Sequence, residues 1–219
     1  MTSSVPRNLS VALLLCVLAA GCTTANTPSP ADLSRQWQDR FVAKAYGARP
    51  AEKFPLPAVE ASSIEDRNVR QLVDYSTREQ PGTLVVDTKN RFVYLVQEGG
   101  KAMRYGVGVG LEGLEFAGSA NVGRKSEWPS WTPTPNMIAR EPEKNKKWAG
   151  GMKGGLDNPL GARALYLYKN GKDTLFRIHG TNEPESIGHA VSSGCIRMLN
   201  QDIIDLYGRV PKGSRVVVR

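Results

Sequence analysis

Between Arg177 and Asn200 the chain reads RIHGTNEPESIGHAVSSGCIRMLN, a stretch that holds one cysteine and the only two histidines of the 219 residues. Cysteine attack on a carbonyl needs a thiolate, a base or cation to generate it, and donors aimed at the oxyanion that forms. Cys195 follows Gly194 in a glycine-bearing turn, a setting that displays a thiol rather than burying it. His179, Arg197 and the backbone amides around Gly194 are the groups able to supply the rest. Sixteen positions separate His179 from Cys195, so no helix pairs them, whereas two strand ends joined by a loop would. His179 closes an apolar-containing run and precedes Gly180, as at a strand end. His189 lies in a polar connecting loop, as a surface residue or a substrate contact. A structural strand-end histidine fits position 179 equally well, so residue type alone leaves its role open.

The other two cysteines fall in a different context. Arg7 precedes an apolar run from Leu9 to Leu18 that is too short to span a bilayer comfortably, so residues 1–21 read as an export signal. Small residues at Ala19, Ala20 and Gly21 precede Cys22 as at a lipoprotein processing site, which makes Cys22 the expected lipid anchor. The alternative is ordinary cleavage within Ala19 to Gly21, leaving Cys22 an incidental thiol. Cys16 would leave with the signal, so Cys195 remains as a lone thiol in an oxidising compartment, either a packed hydrophobe or a functional group. The net charge of +8 loses only Arg7 on processing, leaving 28 basic against 21 acidic residues. For an exported basic protein, wall polymer and anionic membrane are the partners to consider, beside a merely solvated surface. No zinc spacing, RNP-like aromatic motif or long basic helix points to nucleic acid.

The elements that must position Cys195 and His179 are read from periodicity and turn residues. Residues 23–31 (TTANTPSPA) have the composition of a tether, and 32–61 suggest a short helix and an extended arm. Val69, Leu72 and Val73 sit at roughly helical spacing, which predicts a short helix within 62–75. Leu84 to Val86 and Phe92 to Val96 flank a polar turn as a hairpin, and a turn at Gly99-Gly100 leads into a strand over 103–109. Ala164 to Tyr168 and Thr174 to Ile178 flank another turn at 169–172. A helix over 202–207 and a closing strand over 214–218 complete the pattern. Trp128 to Met137 and Lys153 to Gly161 are dense in Pro, Gly and Trp, as ordered loops beside a site are. With 22 Gly and 14 Pro, the fold class is mainly β with short helices.

IHGT at 178–181, Ile187-Gly188 and VSSGCIRM at 191–198 resemble the L,D-transpeptidase catalytic domain, also called YkuD-like. The resemblance extends upstream to the hairpin at 83–96, to YGVGVG at 105–110 and to Asn158-Pro159-Leu160-Gly161, and covers Thr83 to Arg219. It implies a β-sandwich of mixed strands. The organisation expected is a signal at 1–21, a lipid-anchored linker and arm at 22–82, and a catalytic domain at 83–219. It also implies Cys195 as nucleophile, His179 as the group that takes its proton, and Gly194, Ser193 and Gly180 as the backbone around the oxyanion. Arg197, Thr181, Ser192 and Trp131 become candidate substrate contacts, with Arg104, Arg124, Lys125 and Arg163 as further cations for substrate carboxylates. Many members carry Ser-His-Gly-Cys where this chain has Ser192-Ser193-Gly194-Cys195, which leaves His179 as the sole candidate base. The implied reaction is acylation of Cys195 by a peptidoglycan stem tetrapeptide with release of D-alanine. Transfer to an amine follows, as a 3-3 cross-link or an attachment to an envelope protein. No metal or cofactor is implied, and the expected location is the periplasm, held to a membrane through Cys22. A non-catalytic wall-binding lipoprotein on the same fold and an L,D-carboxypeptidase using water remain the alternatives.

Overall fold

A computed structural model describes residues 29–110, 117–192 and 194–219; the expected signal, Cys22 and Ser193 lie outside them. The N-terminal helix α1 (Pro30–Tyr46) starts at an N-cap Ser29, whose hydroxyl accepts from the Asp32 amide while the Asp32 carboxylate reaches back to Ser29. Pro30 and Ala31, expected in the tether, therefore already belong to this helix.

Three hairpins follow from local turn chemistry. Strands β2 (Leu84–Asp87) and β3 (Phe92–Gln97) pair antiparallel, and Asp87 caps their turn by accepting from the Asn90 amide at 2.9 Å. Strand β3 continues into β4 (Lys101–Gly106) through Gly99 and Gly100, both at positive φ. Strands β7 (Arg163–Lys169) and β8 (Lys172–His179) are joined by Asn170-Gly171, whose φ values of 51° and 75° suit the left-handed two-residue turn.

Two expectations are revised. Residues 66–68 form a single 3-10 turn and β1 (Gln71–Asp74) pairs antiparallel with β4, so the helix expected within 62–75 is an edge strand. Three closely spaced apolar residues do not separate the two periods, and pairing with β4 decides. Strand β6 (Gly118–Glu127) has no counterpart among the expected elements. Its apolar residues are only Ala120 and Val122, and two glycines interrupt it, so it is held by neighbours on both sides rather than by its own pattern.

The last strand, β11 (Arg215–Val218), is the seam: it pairs parallel with β2 and antiparallel with β6. With the edge strand β10 (Ile196–Arg197), nine strands among the described residues form one mixed sheet in the order β1-β4-β3-β2-β11-β6-β7-β8-β10. A two-stranded parallel ladder joins β5 (Val109–Gly110) to β9 (Ala190–Ser192). Helices α2 (Pro135–Arg140) and α3 (Pro142–Asn145) sit in the long β6–β7 loop, and α4 (Asn200–Arg209) follows β10. Tyr105 of β4, Ile178 of β8, Ile196 of β10 and Ile203 and Leu206 of α4 share one buried cluster, so the sheet curls around a common core. The mainly β, mixed-strand sandwich with short helices is what is observed, built from one continuous sheet.

The N-terminal segment is bound to this core by polar groups. Tyr46 donates to Asp202 at 3.2 Å and accepts the Arg70 amide at 2.7 Å, and Arg70 reaches Asp202 and Asp205 at 3.5 and 3.8 Å. Glu52 takes a two-pronged ion pair from Arg163 (2.9 and 2.8 Å) and the Trp128 indole N–H at 3.0 Å. Complete burial pushes the Asp202 carboxyl up to about 7 against the pull of Arg70. A carboxyl raised on folding contributes stability that is present at low pH and is lost as pH rises through its folded value. Asp202→Asn, which cannot titrate, is therefore expected to gain stability relative to the native chain as pH rises from about 4 to about 7 and to level off above that, by at most about 1.4 kcal/mol per pH unit. Urea unfolding at several pH values measures this; a pH-independent difference would refute it.

Candidate active site

The two segments Arg177-Ile178-His179 and Cys195-Ile196-Arg197 have the same form, a polar residue on each side of an isoleucine. Strands β8 and β10 pair parallel with Ile196 opposite Ile178 and Arg197 opposite His179. Both isoleucines are buried in the core. Since side chains alternate along a strand, the residues on either side point the other way, and Cys195, Arg197, Arg177 and His179 share the outer face. Cys195 therefore stands beside Arg177, one diagonal step from His179.

His179 is 4% exposed, and its Nδ1 lies 2.5 Å from the Gly180 carbonyl oxygen. That carbonyl can only accept, so Nδ1 carries the proton and Nε2 is left as the basic nitrogen. Burial pushes the imidazole down to about 4, and the nearby Arg197 and Arg177 add to this, so the ring is neutral at physiological pH. The Gly180 peptide is itself held. Asn200, at the start of α4, accepts the Ala162 amide and donates to the Thr181 carbonyl, both at 2.8 Å. A Cβ on Gly180 or Gly161 would come within 2.2 or 2.3 Å of the Asn200 Oδ1, so the close approach requires glycine at both positions. Asn200 was not among the expected site residues; its signal was a polar side chain at the first position of an amphipathic helix.

Cys195 is partly exposed, and its thiol donates to the Leu175 carbonyl at 4.0 Å rather than to the imidazole. Leu175 lies at φ 65° with its side chain 71% exposed, in the part of β8 where the register with β7 shifts. Asp173 accepts the Leu175 amide at 2.9 Å and Thr174 accepts the Phe176 amide at 3.2 Å, side-chain contacts that support this left-handed position. Burial raises the Cys195 thiol above its ordinary value, opposed by the Arg177 amide and by the Arg177 and Arg197 cations. Burial thus acts against charge on both groups, raising the thiol and lowering the imidazole. Gly194, at φ 92°, turns the chain into Cys195.

The other expected residues have the following surroundings. The Gly180 amide donates to the Arg163 carbonyl at 3.0 Å, so Gly180 serves the site through its carbonyl and not as an oxyanion donor. Thr181 is buried, its hydroxyl accepts the Glu183 amide at 3.0 Å, and it helps to line the cavity described below. Arg197 pairs with Glu183 at 2.8 Å. Partial burial opposes ionisation of Glu183, but Arg197 and Lys144 hold its carboxyl below the usual range. Trp131 is fastened to Met152 by two backbone hydrogen bonds in the β6–β7 loop. Ser192 contributes backbone to β9, and Ser193 lies outside the described residues. Among the described residues no group of three or more His, Cys, Asp or Glu side chains could hold a metal ion. A cavity of about 400 Å³ between residues 56–63 and 181–184 contains neither Cys195 nor His179 in its lining.

The family model for the L,D-transpeptidase catalytic domain, YkuD, matches residues 81–218. The "Probable L,D-transpeptidase ErfK/SrfK" of Escherichia coli (strain K12) is 35% identical over 139 residues, 63% of this chain and 43% of that protein. The "Putative L,D-transpeptidase in ATP synthase subunits region ORF 5" of Fuscovulum blasticum is 39% identical over 137 residues, 62% of this chain and 68% of that protein. The matched region thus spans less than half the length of the Escherichia coli relative. A crystal structure described as a "Probable carnitine operon oxidoreductase caia" from Brucella melitensis is 49% identical, with a TM-score of 0.50, covering 72% of this chain and 97% of that one.

A thiol raised by burial beside an imidazole that is already neutral has a specific chemical signature. The alkylation rate of the Cys195 peptide by iodoacetamide, followed by peptide mass mapping so that Cys16 and Cys22 do not interfere, is expected to climb continuously from pH 6 to beyond 9. A plateau reached near pH 6 would instead indicate a thiolate–imidazolium pair and contradict this electrostatic arrangement.

Proposed function

This chain belongs to the YkuD family of L,D-transpeptidase catalytic domains, and from that premise we propose that it is a cysteine acyltransferase acting on peptidoglycan stem peptides. The observation that carries the reading is the common face of β8 and β10, which sets Cys195 one diagonal step from an imidazole whose Nδ1 is committed to the Gly180 carbonyl. The His179 Nε2 takes the thiol proton as Sγ bonds to the carbonyl carbon at the L-centre of a stem tetrapeptide. The Gly194 and Cys195 amides receive the oxyanion. Collapse breaks the C–N bond, and the departing D-alanine amine takes the proton from His179, leaving a Cys195 thioester.

An incoming amine then gives its proton to His179, forms the amide and returns the thiol. A neutral resting pair suits this cycle, because His179 must accept and release a proton twice without being trapped as a cation. The side-chain amine of a second stem would give a 3-3 cross-link, an amine of an envelope protein would give a wall attachment, and water would give a carboxypeptidase. Lipid attachment at Cys22 would hold the domain to a membrane facing the periplasm; no described helix is long and apolar enough to cross one.

Incubating the full chain with a disaccharide-tetrapeptide and reading intact mass tests nucleophile and reaction together. The expected result is an adduct on Cys195 with release of D-alanine, absent in Cys195→Ala and slowed roughly 10²- to 10⁴-fold in His179→Gln. Binding of the stem by native and Cys195→Ala chains alike, with no adduct in a folded protein, would favour a wall-binding lipoprotein.

A further inference from the structure

Arg177 on β8, Tyr166 on β7 and Arg124 on β6 form one cross-strand row across the outer face, and Cys195, the residue before the Ile196 that pairs with Ile178, continues that row on the other side. The Arg124 guanidinium lies 3.4 Å above the Tyr166 ring, and the Arg177 guanidinium lies 4.4 Å from the same ring. Tyr166, sandwiched between them, is buried despite facing outward. Arg177 is occupied by Asp173 through two bonds of 2.7 and 2.9 Å. Arg124 is exposed, and among the described residues it has no hydrogen bond or ion pair, only the ring.

The other candidate cations are committed elsewhere. Lys125 turns inward and donates to the Tyr207 and Val210 carbonyls, both at 2.7 Å. Arg163 is held by Glu52, Arg197 by Glu183, and Arg104 donates to the Arg67 carbonyl beside the Phe92 ring. Arg124 is also aimed. The register between β6 and β7 shifts at Gly123, where a Cβ would lie 2.3 Å from the Tyr168 ring, and this bulge sets the next side chain over Tyr166.

We propose that Arg124, held on Tyr166, is a recognition site for a free carboxylate of the acyl donor. This rests on the reading of Cys195 as the acylated nucleophile of a stem peptide. Three inter-strand steps place the Arg124 and Cys195 backbones about 14 Å apart. Folding of the guanidinium over β7 shortens the gap to about 10 Å. A carboxylate carried about two residue lengths from the scissile carbonyl would close it. A stem offers two such groups, one on its γ-linked second residue and one at the side-chain end of its third. A planar guanidinium pre-placed on an aromatic ring suits either, since little side-chain freedom is lost on pairing.

Binding can be measured without chemistry, in the full chain carrying Cys195→Ala, by titration calorimetry with three disaccharide-tetrapeptides. One is native, one has the second-residue carboxylate amidated, and one has the third-residue side-chain carboxylate amidated. We expect Arg124→Gln to weaken the native ligand about tenfold, Arg124→Lys to fall between, and amidation at one of the two positions to weaken binding to the Arg124 chain by the same factor. Against Arg124→Gln that amidation should make no difference, and the position identifies the carboxylate. If Arg124→Gln moves the Kd less than twofold, or if both amidated ligands bind the Arg124 chain as the native one does, the proposal is overturned. Discrimination in this assay together with an unacylated native chain would leave the carboxylate site standing and refute the acyl-transfer reading instead.

Discussion

The parallel register between β8 and β10 is the constraint on which the site depends. It is set by burial: Ile178 and Ile196 enter the same core, and a slip of one residue would turn one of them outward and drive Cys195 or His179 into the interior. Only two residues of β10 pair with β8, so the ladder itself is weak. The flanking bonds make up the difference, from the Arg197 amide to the Gly108 carbonyl and from the Met198 amide to the His179 carbonyl, both at 2.8 Å. The edge strand is thus held from two sides, with Cys195 immediately before it.

Two opposing demands meet in this arrangement. A base near a thiol works best when it is dry and oriented, and dryness keeps both groups neutral. His179 is oriented through its own following carbonyl, and Asn200 ties the next carbonyl, that of Thr181, to the Ala162 amide. The Arg177 and Arg197 cations, which would stabilise a thiolate, are each neutralised by a carboxylate, Asp173 and Glu183. The field at the sulfur is therefore moderate, and burial keeps the thiol above its ordinary value.

The same α4 that carries Asn200 also carries Asp202 and Asp205, which receive Tyr46 and Arg70 from the N-terminal segment. Helix α4 consequently links the arm to the His179 turn through side chains two and five residues beyond the Asn200 clip. The Arg163 side chain is anchored to Glu52 while its carbonyl receives the Gly180 amide. The segment preceding β2 is in this way part of what holds the His179 turn, and its last strand is an edge of the same nine-stranded sheet.

The sequence by itself determined the local chemistry. Its patterns marked the polar turn between Val86 and Phe92, the Gly99-Gly100 turn and the turn at 169–172, the hairpins around them, a histidine at a strand end and a cysteine after a glycine turn. These depend on properties of residues close in the chain: side-chain alternation, positive φ at Gly and Asn, and short polar caps. Tertiary structure decided what those properties leave open. Strand β6 forms because two neighbours pair with it, not because its own residues alternate, and β1 is a strand because β4 offers it an edge. Which of the basic residues are neutralised depends on partners distant in sequence, Glu52 for Arg163 and the α4 carbonyls for Lys125. Asn200 clamps a peptide nineteen residues away. No pattern in one chain encodes such a meeting; it exists only once the core has closed and brought the segments together.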